Sequence, residues 1–328
     1  MTKHRRKTKP GKSSPRRSRN NIRGGDKMAE VTTAMVKQLR ERTGAGVLAC
    51  KNALVECGGD MDKAVDALRK RGEAQAVKKA GRIAAEGIVK VVVKDNTAVI
   101  VEVNSETDFV AKNEKFQNFV TEVADQVFAT QAADTEGLLA DAWISDPSKT
   151  VNDALVNMIA TIGEKISIRR FAKIQSSDVL VTYLHGGGRI GVIVEAEAEK
   201  TPEAEAAVKD VAMQIAALSP RYVSEDDVDS EFLKHETEIL TTQAKSDPAN
   251  AKKPDNIIEK MIQGRLKKEL KEVCLLDQPF VKDSSMNVAA YLKSAGGIKI
   301  KQFVRFETGE GIEKKQENFA EEVAKQMQ

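Results

Sequence analysis

The sequence predicts an α+β chain: a small N-terminal helical bundle, two hairpin-plus-helix units on antiparallel sheets, a projecting helical hairpin and a C-terminal helical arm. Three observations predict it. Apolar residues recur at helical spacing from Thr33 to Leu68, broken twice by glycines. Two alternating hairpin patterns lie 93 residues apart, each followed by an amphipathic helical pattern, and Val99-Ile-Val-Glu102 returns as Val192-Ile-Val-Glu195. Two charge-rich helical patterns, Ser230–Ala244 and Asp255–Leu270, flank a polar loop that contains proline.

Met35, Val36 and Leu39 make one face of the first helix. Thr43-Gly-Ala-Gly46 turns the chain into a second helix, Val47 to Glu56, which Gly58-Gly59 stops. Asp60 is placed to cap a third, with Met61, Ala64, Val65 and Leu68 on one side. Three short helices in such a length resemble the ubiquitin-associated fold. Residues 73–87, rich in Ala, Lys and Glu, read as a helical linker. The runs 88–94 and 97–103 alternate around Asp95-Asn96, a hairpin signal. Glu114 to Thr130 is amphipathic, with Phe116, Phe119, Val120, Val123 and Val127 inward. Asn152–Ile162 reads as a helix and Ile166–Ile174 as a strand. Val179–Leu184, a Gly186-Gly187-Gly188 turn and Ile190–Glu195 form the second hairpin, and a helix through Ala206–Leu218 follows. A narrow stripe of Phe232, Ile239, Ile257, Ile258, Met261 and Leu266 suits an antiparallel helical hairpin in solvent. Val288–Leu292 is helical, Ile298–Phe306 a strand, and 313–326 a terminal helix. The expected organisation is therefore 1–27 tail, 28–72 bundle, 73–87 linker, 88–165 first core unit, 166–308 second core unit with an insertion at 230–270, and 309–328 arm.

The net charge of +3 conceals an asymmetry. Residues 1–27 hold eleven Lys or Arg against one Asp, which leaves 41 basic and 48 acidic residues in 28–328. The body is acidic and the tail basic. The tail has almost nothing to bury and reads as disordered, or as a leader read in frame before a true start at Met28. Arg23 to Lys27 can be encoded by AGA-GGA-GGA-GAT-AAA, which contains a sequence of ribosome-binding form. The first 27 residues contain no apolar signal region, and no apolar run approaches a membrane span. Cys50, Cys57 and Cys274 have no CxxC spacing and read as reduced thiols of a cytoplasmic protein.

No GxxxxGK[ST] loop is present, so GTP binding by this chain itself is not expected, and no cofactor is implied. His4, His185 and His235 stand in separate contexts without metal spacing or a nucleophile, and the paired carboxylates fall on solvated helical patterns. The residues describe a binding protein without its own reaction centre. The basic tail alone would favour a nucleic-acid or ribosome-associated binding module, but the acidic body opposes it.

The most informative stretch is Asn104-Ser-Glu-Thr-Asp-Phe-Val-Ala-Lys-Asn113, between a strand and a helix. Phe109 there either wedges into another protein, with Asp108 competing for a cation or an amide, or folds back as a lid on its own core. This stretch, together with Leu39-Arg-Glu-Arg-Thr-Gly-Ala-Gly-Val-Leu-Ala-Cys-Lys-Asn-Ala-Leu54, resembles the elongation factor Ts family, guanine-nucleotide exchange factors of the GTPase elongation factor Tu. The resemblance runs from Met28 to the C-terminus and includes His185-Gly-Gly-Gly-Arg-Ile-Gly191, Gln278-Pro-Phe280 and Gly309-Glu-Gly-Ile-Glu313; Ala49 departs from the Asp the family often carries. It implies a non-enzymatic exchange factor that meets nucleotide only through its partner, with no DNA or membrane partner. Thr107, Asp108, Phe109 and Val110 would enter the GTPase near its magnesium and phosphate site. Arg40, Val47 and Leu48 would contact the GTPase domain, Leu184 and His185 another domain, and the stretch from Gly309 would be a further contact arm. Read locally, Val47 and Leu48 equally suit core packing, Arg40 a solvated charge, and His185 a loop end without a role.

Overall fold

The computed structural model describes residues 31–250 and 253–313. The basic tail, the start at Met28 and the terminal helix expected over 313–326 lie outside those residues.

Helices α1 (Thr33–Thr43), α2 (Val47–Glu56) and α3 (Met61–Lys79) close around Leu39, Cys50, Ala53 and Leu54. Asp60 caps α3, its carboxylate accepting from the Asp62 and Lys63 amides at 3.1 and 3.0 Å. The first half then runs β1 (Glu86–Lys94), β2 (Thr97–Ser105), α4 (Asp108–Ala111), α5 (Glu114–Ala129), α6 (Thr135–Ala140), β3 (Ala142–Trp143), β4 (Asp146–Thr150), α7 (Val151–Ile162) and β5 (Ile166–Gln175). The second runs β6 (Val179–His185), β7 (Ile190–Glu197), α8 (Pro202–Leu218), α9 (Ser230–Ser246), α10 (Asp255–Val273), β8 (Pro279–Phe280), β9 (Asp283–Asn287), α11 (Val288–Ser294) and β10 (Lys299–Glu307). Two antiparallel three-stranded sheets result, ordered β1-β2-β5 and β10-β7-β6. The class is α+β, as the sequence predicts.

The halves repeat further than hairpin plus helix. Gln126 of α5 donates to the Ala142 carbonyl at 3.1 Å and accepts from the Ile144 amide at 2.8 Å. Gln214 of α8 does the same with the Pro279 carbonyl and the Val281 amide, at 3.1 and 2.8 Å. Each buried glutamine thus pins a short hairpin, β3–β4 or β8–β9, that leads into a helix and the sheet's last strand. Neither hairpin is legible in the sequence, because a two-residue strand is too short to show alternation.

The two sheets stack face to face with helices outside. Along β2, Val99, Val101 and Val103 meet α5, while Ala98 and Ile100 meet the other sheet through Ile193 and Phe306. Along β7, Val192, Val194 and Ala196 meet α8. Gly191 sits in this contact: a Cβ there would stand 2.5 Å from Val89 Cγ1 and 2.9 Å from Val91 Cγ1, so only glycine permits the approach.

The glutamates of the repeated tetrapeptide lie in the same interlayer space, one towards each end. Glu102 is fully buried. It accepts from Arg169 Nη1 (3.0 Å), Arg170 Nε (2.6 Å), Asn104 Nδ2 (3.0 Å) and the Gly309 amide (2.8 Å). Glu195 accepts from Ser176 Oγ and Gln302 Nε2, both at 2.6 Å, and pairs with Lys301 at 3.1 Å. Register shifts next to Arg169 in β5 and Lys301 in β10 insert these cations as extra residues. Each carboxylate also holds the chain leaving the other sheet: Ser176 follows β5 and Gly309 follows β10. These two carboxylates are not on the solvated helical faces where the sequence analysis places such groups.

Two further expectations change. The stretch 73–87, expected as a helical linker, is helical only to Lys79, as the continuation of α3 packed on α7, and β1 begins at Glu86. A Cβ on Gly72 would stand 3.4 Å from Ala160 Cβ and 3.5 Å from Val156 Cγ1, ordinary van der Waals contact, so the helices meet here at a distance that alanine would also fit. The seam of the helical hairpin is Leu240, Ala244 and Ile262 with Ile258 and Leu266, whereas Ile239 and Ile257 are exposed. Phe232 packs edge-on against Tyr222 at the hairpin's base, 5.7 Å between centroids. Because this seam forms its own small cluster, replacing 230–270 by a Gly-Ser linker is expected to leave a cooperative thermal melt. A molten or aggregated product in calorimetry would show that the body depends on the hairpin.

Candidate functional site

The Thr107–Asp108–Phe109 segment joins the end of β2 to α5, and α4 is its single helical turn. Every polar group of Thr107 is engaged. Its amide and hydroxyl donate to the two carboxylate oxygens of Glu164, at 3.0 and 2.8 Å. Its hydroxyl oxygen accepts from the Val110 amide at 3.4 Å, and its carbonyl accepts from Ser105 Oγ at 3.0 Å. Glu164 follows Gly163, the left-handed residue (φ +88°) that ends α7. The neighbouring pair is reversed in sense: Glu106 accepts from the Lys165 amide at 2.5 Å and from Arg82 Nη1 at 3.3 Å, and Lys165 Nζ reaches the Arg82 carbonyl at 2.8 Å. Two adjacent carboxylates, one from each loop, therefore grip the opposite loop.

On this base Val110 and Ala111 turn inward, and the Phe109 ring stands 80% exposed. It is not a lid on its own core. Asp108 is exposed and paired with Lys112 one turn on, at 2.7 Å; that hydrogen bond holds its carboxyl below the usual carboxylate range.

Val47 and Leu48 open α2 and are 56% and 70% exposed, so the core-packing reading of them fails; the inward residues of α2 are Cys50, Ala53 and Leu54. Arg40 is exposed on α1. The turn before α2 reaches α7, since a Cβ on Gly44 would stand 3.7 Å from Thr161 Oγ1. Bundle surface and Phe109 loop thus meet the same end of α7. Leu184 is exposed at the end of β6, and His185 Nδ1 and Tyr183 Oη are hydrogen-bonded at 3.1 Å. That hairpin tip is tied to β1 by the Val89 amide, which donates to the Gly188 carbonyl at 2.7 Å. Next to it, Thr308 Oγ1 donates to the same carbonyl at 3.2 Å, and Gly309 (φ +72°) lies so close to Ala85 that a Cβ would stand 2.1 Å from its carbonyl oxygen.

Sequence reasoning singles out Phe109 without choosing between wedge and lid, and misses what holds it. Glu106 lies inside the Asn104–Asn113 signature but receives no role from it, and Glu164 and Lys165 carry no motif; the one available signal for them is a glycine stop followed at once by a carboxylate, Gly163-Glu164. Among the described residues no group of three or more His, Cys, Asp or Glu side chains is placed to hold a metal, and no helix is long and apolar enough to cross a membrane. The three cysteines are free thiols, and burial pushes Cys274 up to about 11.

A family model described as elongation factor TS matches residues 106–310, from the loop that carries Phe109 to the segment that Glu102 holds. Elongation factor Ts of Clostridioides difficile (strain 630) is 52% identical over 308 residues, covering 92% of this chain and all of that protein. The family match takes in the loop between β2 and α5 and runs on through the second half, beginning just after β2. The chain therefore belongs to the elongation factor Ts family and serves the elongation stage of protein synthesis.

Proposed function

We propose that the chain binds elongation factor Tu in its GDP form and promotes release of the nucleotide, allowing GTP to replace it. The observation that carries this is the Phe109 ring, exposed on a helical turn whose base is fixed by hydrogen bonds. An apolar ring held in solvent on a fixed support costs free energy in the free protein and regains roughly 1.5–3 kcal/mol when a partner buries it. Coupling between the two ligands of the partner is reciprocal: a factor that loosens GDP is loosened by GDP in the same ratio. An exchange factor thus needs a wide interface plus one element that fits only the distorted partner. Phe109 and Asp108, with Thr107 and Val110 as their support, supply that element near the partner's magnesium and phosphate site. Arg40, Val47 and Leu48 supply contact from the bundle. Leu184 and His185 supply a second region, and the segment from Gly309 a third. The units serve as separate contact surfaces, the chain works in the cytoplasm, and no bond is made or broken by its own side chains.

The test is stopped-flow release of a fluorescent GDP analogue from elongation factor Tu. Catalytic amounts of the chain should accelerate release strongly. Unchanged release at micromolar protein would overturn the proposal.

A further inference from the structure

We infer that Glu164 is a positioning residue for nucleotide exchange: its carboxylate holds the Thr107 end of the Phe109 loop, so that the ring meets the partner already in its working direction. The inference rests on the proposed exchange function and adds a residue outside the loop.

The geometry singles out Glu164 among the loop's neighbours. Both of its oxygens are spent on one residue, Thr107, whose amide and hydroxyl are 3.0 and 2.8 Å away. With its proton directed to Glu164, the Thr107 hydroxyl keeps a lone pair for the Val110 amide, which caps α4. One carboxylate therefore sets both the backbone before Asp108 and the start of the turn that carries Phe109. A four-residue helix has no stability of its own, so its orientation must come from such contacts. Glu106 and Lys165 act at the next residue of each loop and lock the same two segments together through the 2.5 Å contact.

The loop is joined to the body at other points, so loss of Glu164 should free its direction without unfolding it. Val110 and Ala111 remain buried, Ser105 still meets the Thr107 carbonyl, and Gln117 Nε2 donates to the Ala111 carbonyl at 3.2 Å. A freed loop must be ordered when the ring enters the docked partner, at a cost set by the lost charge-assisted hydrogen bonds. Since the wedge acts after docking, the loss should appear in the maximal release rate rather than in the concentration needed for half of it.

The test is a double-mutant cycle in the nucleotide-release assay with full-length protein: Glu164→Ala, Phe109→Ala and both together. Glu164→Ala alone should lower the maximal release rate roughly tenfold, with half-saturation and melting temperature nearly unchanged. In the Phe109→Ala background the same change should have almost no effect, because no ring remains to be positioned. Glu164→Gln, which keeps one acceptor oxygen, should restore part of the rate. Additive losses in the cycle, or a melting temperature that falls in parallel with activity, would overturn the inference and leave Glu164 a structural residue. A silent Phe109→Ala would instead strike at the proposed function of the loop, and the two failures are separable.

Discussion

Phe109→Ala is expected to reduce the maximal rate of GDP release from elongation factor Tu by about ten- to hundredfold, the equivalent of the roughly 1.5–3 kcal/mol gained when such a ring is buried. The fold should not register the change. The ring is 80% exposed, and exposed substitutions away from special features usually alter stability by no more than about 0.5 kcal/mol. Thermal melting and stopped-flow release on one preparation decide the matter. A clear fall in melting temperature with exchange per folded molecule preserved would mean that the ring packs on its own protein in solution. Asp108→Asn provides a companion measurement: it removes the carboxylate and its bond to Lys112 while leaving the ring in place.

Glu102→Gln is expected to be strongly destabilising, about 3 kcal/mol, because it removes the counter-charge of Arg169 and one of the two carboxylates on Arg170, which keeps Glu310. The replacement also points an amide NH2 at groups that are all donors: two guanidiniums, the Asn104 amide and the Gly309 amide. The pH dependence carries a defined sign. Burial alone would raise the Glu102 value, but the Gly309 amide and the two arginines outweigh it and leave the carboxyl below its ordinary 4.5. A depressed folded value means that the stabilisation is fully present above the unfolded value and is lost as pH falls through the folded one. Wild type and Glu102→Gln should therefore differ most near neutral pH and converge in acid. Urea melts at pH 7 and through the acid range below the ordinary carboxylate value measure the difference. A constant gap across that range would show that shape rather than charge is what the site requires.

What was legible in the sequence was whatever depends on neighbours along the chain. Asp60 reads as a cap because its recipients are two and three residues away. The hairpin at Asp95-Asn96 and the amphipathic α5 read from spacing alone. The helical hairpin was legible as a whole but not in its seam: Ile239 and Leu240 are adjacent, and the choice between them depends on the rotation of α10 against α9, which no single helix encodes. Glu102 could not be read as buried, since its counter-charges lie 67 and 68 residues on and its amide donor 207 residues on. The Phe109 loop shows the same division. Its signature is local and was recognised, whereas the support it stands on comes from Glu164, 57 residues away.

The placement of Glu102 and Glu195 has a mechanical consequence. Each ties a segment leaving one sheet into the other, and the two ties sit towards opposite ends of the interlayer, with Gly191 closing the gap between them. A stack fixed at both ends resists shear, so neither sheet can slide to follow a surface that moves. The Phe109 loop leaves one sheet and the Leu184–His185 tip leaves the other, which makes the span between them that of a caliper with its screw tightened. A partner held by both, as the proposed function has it, would have to change its own dimensions to fit.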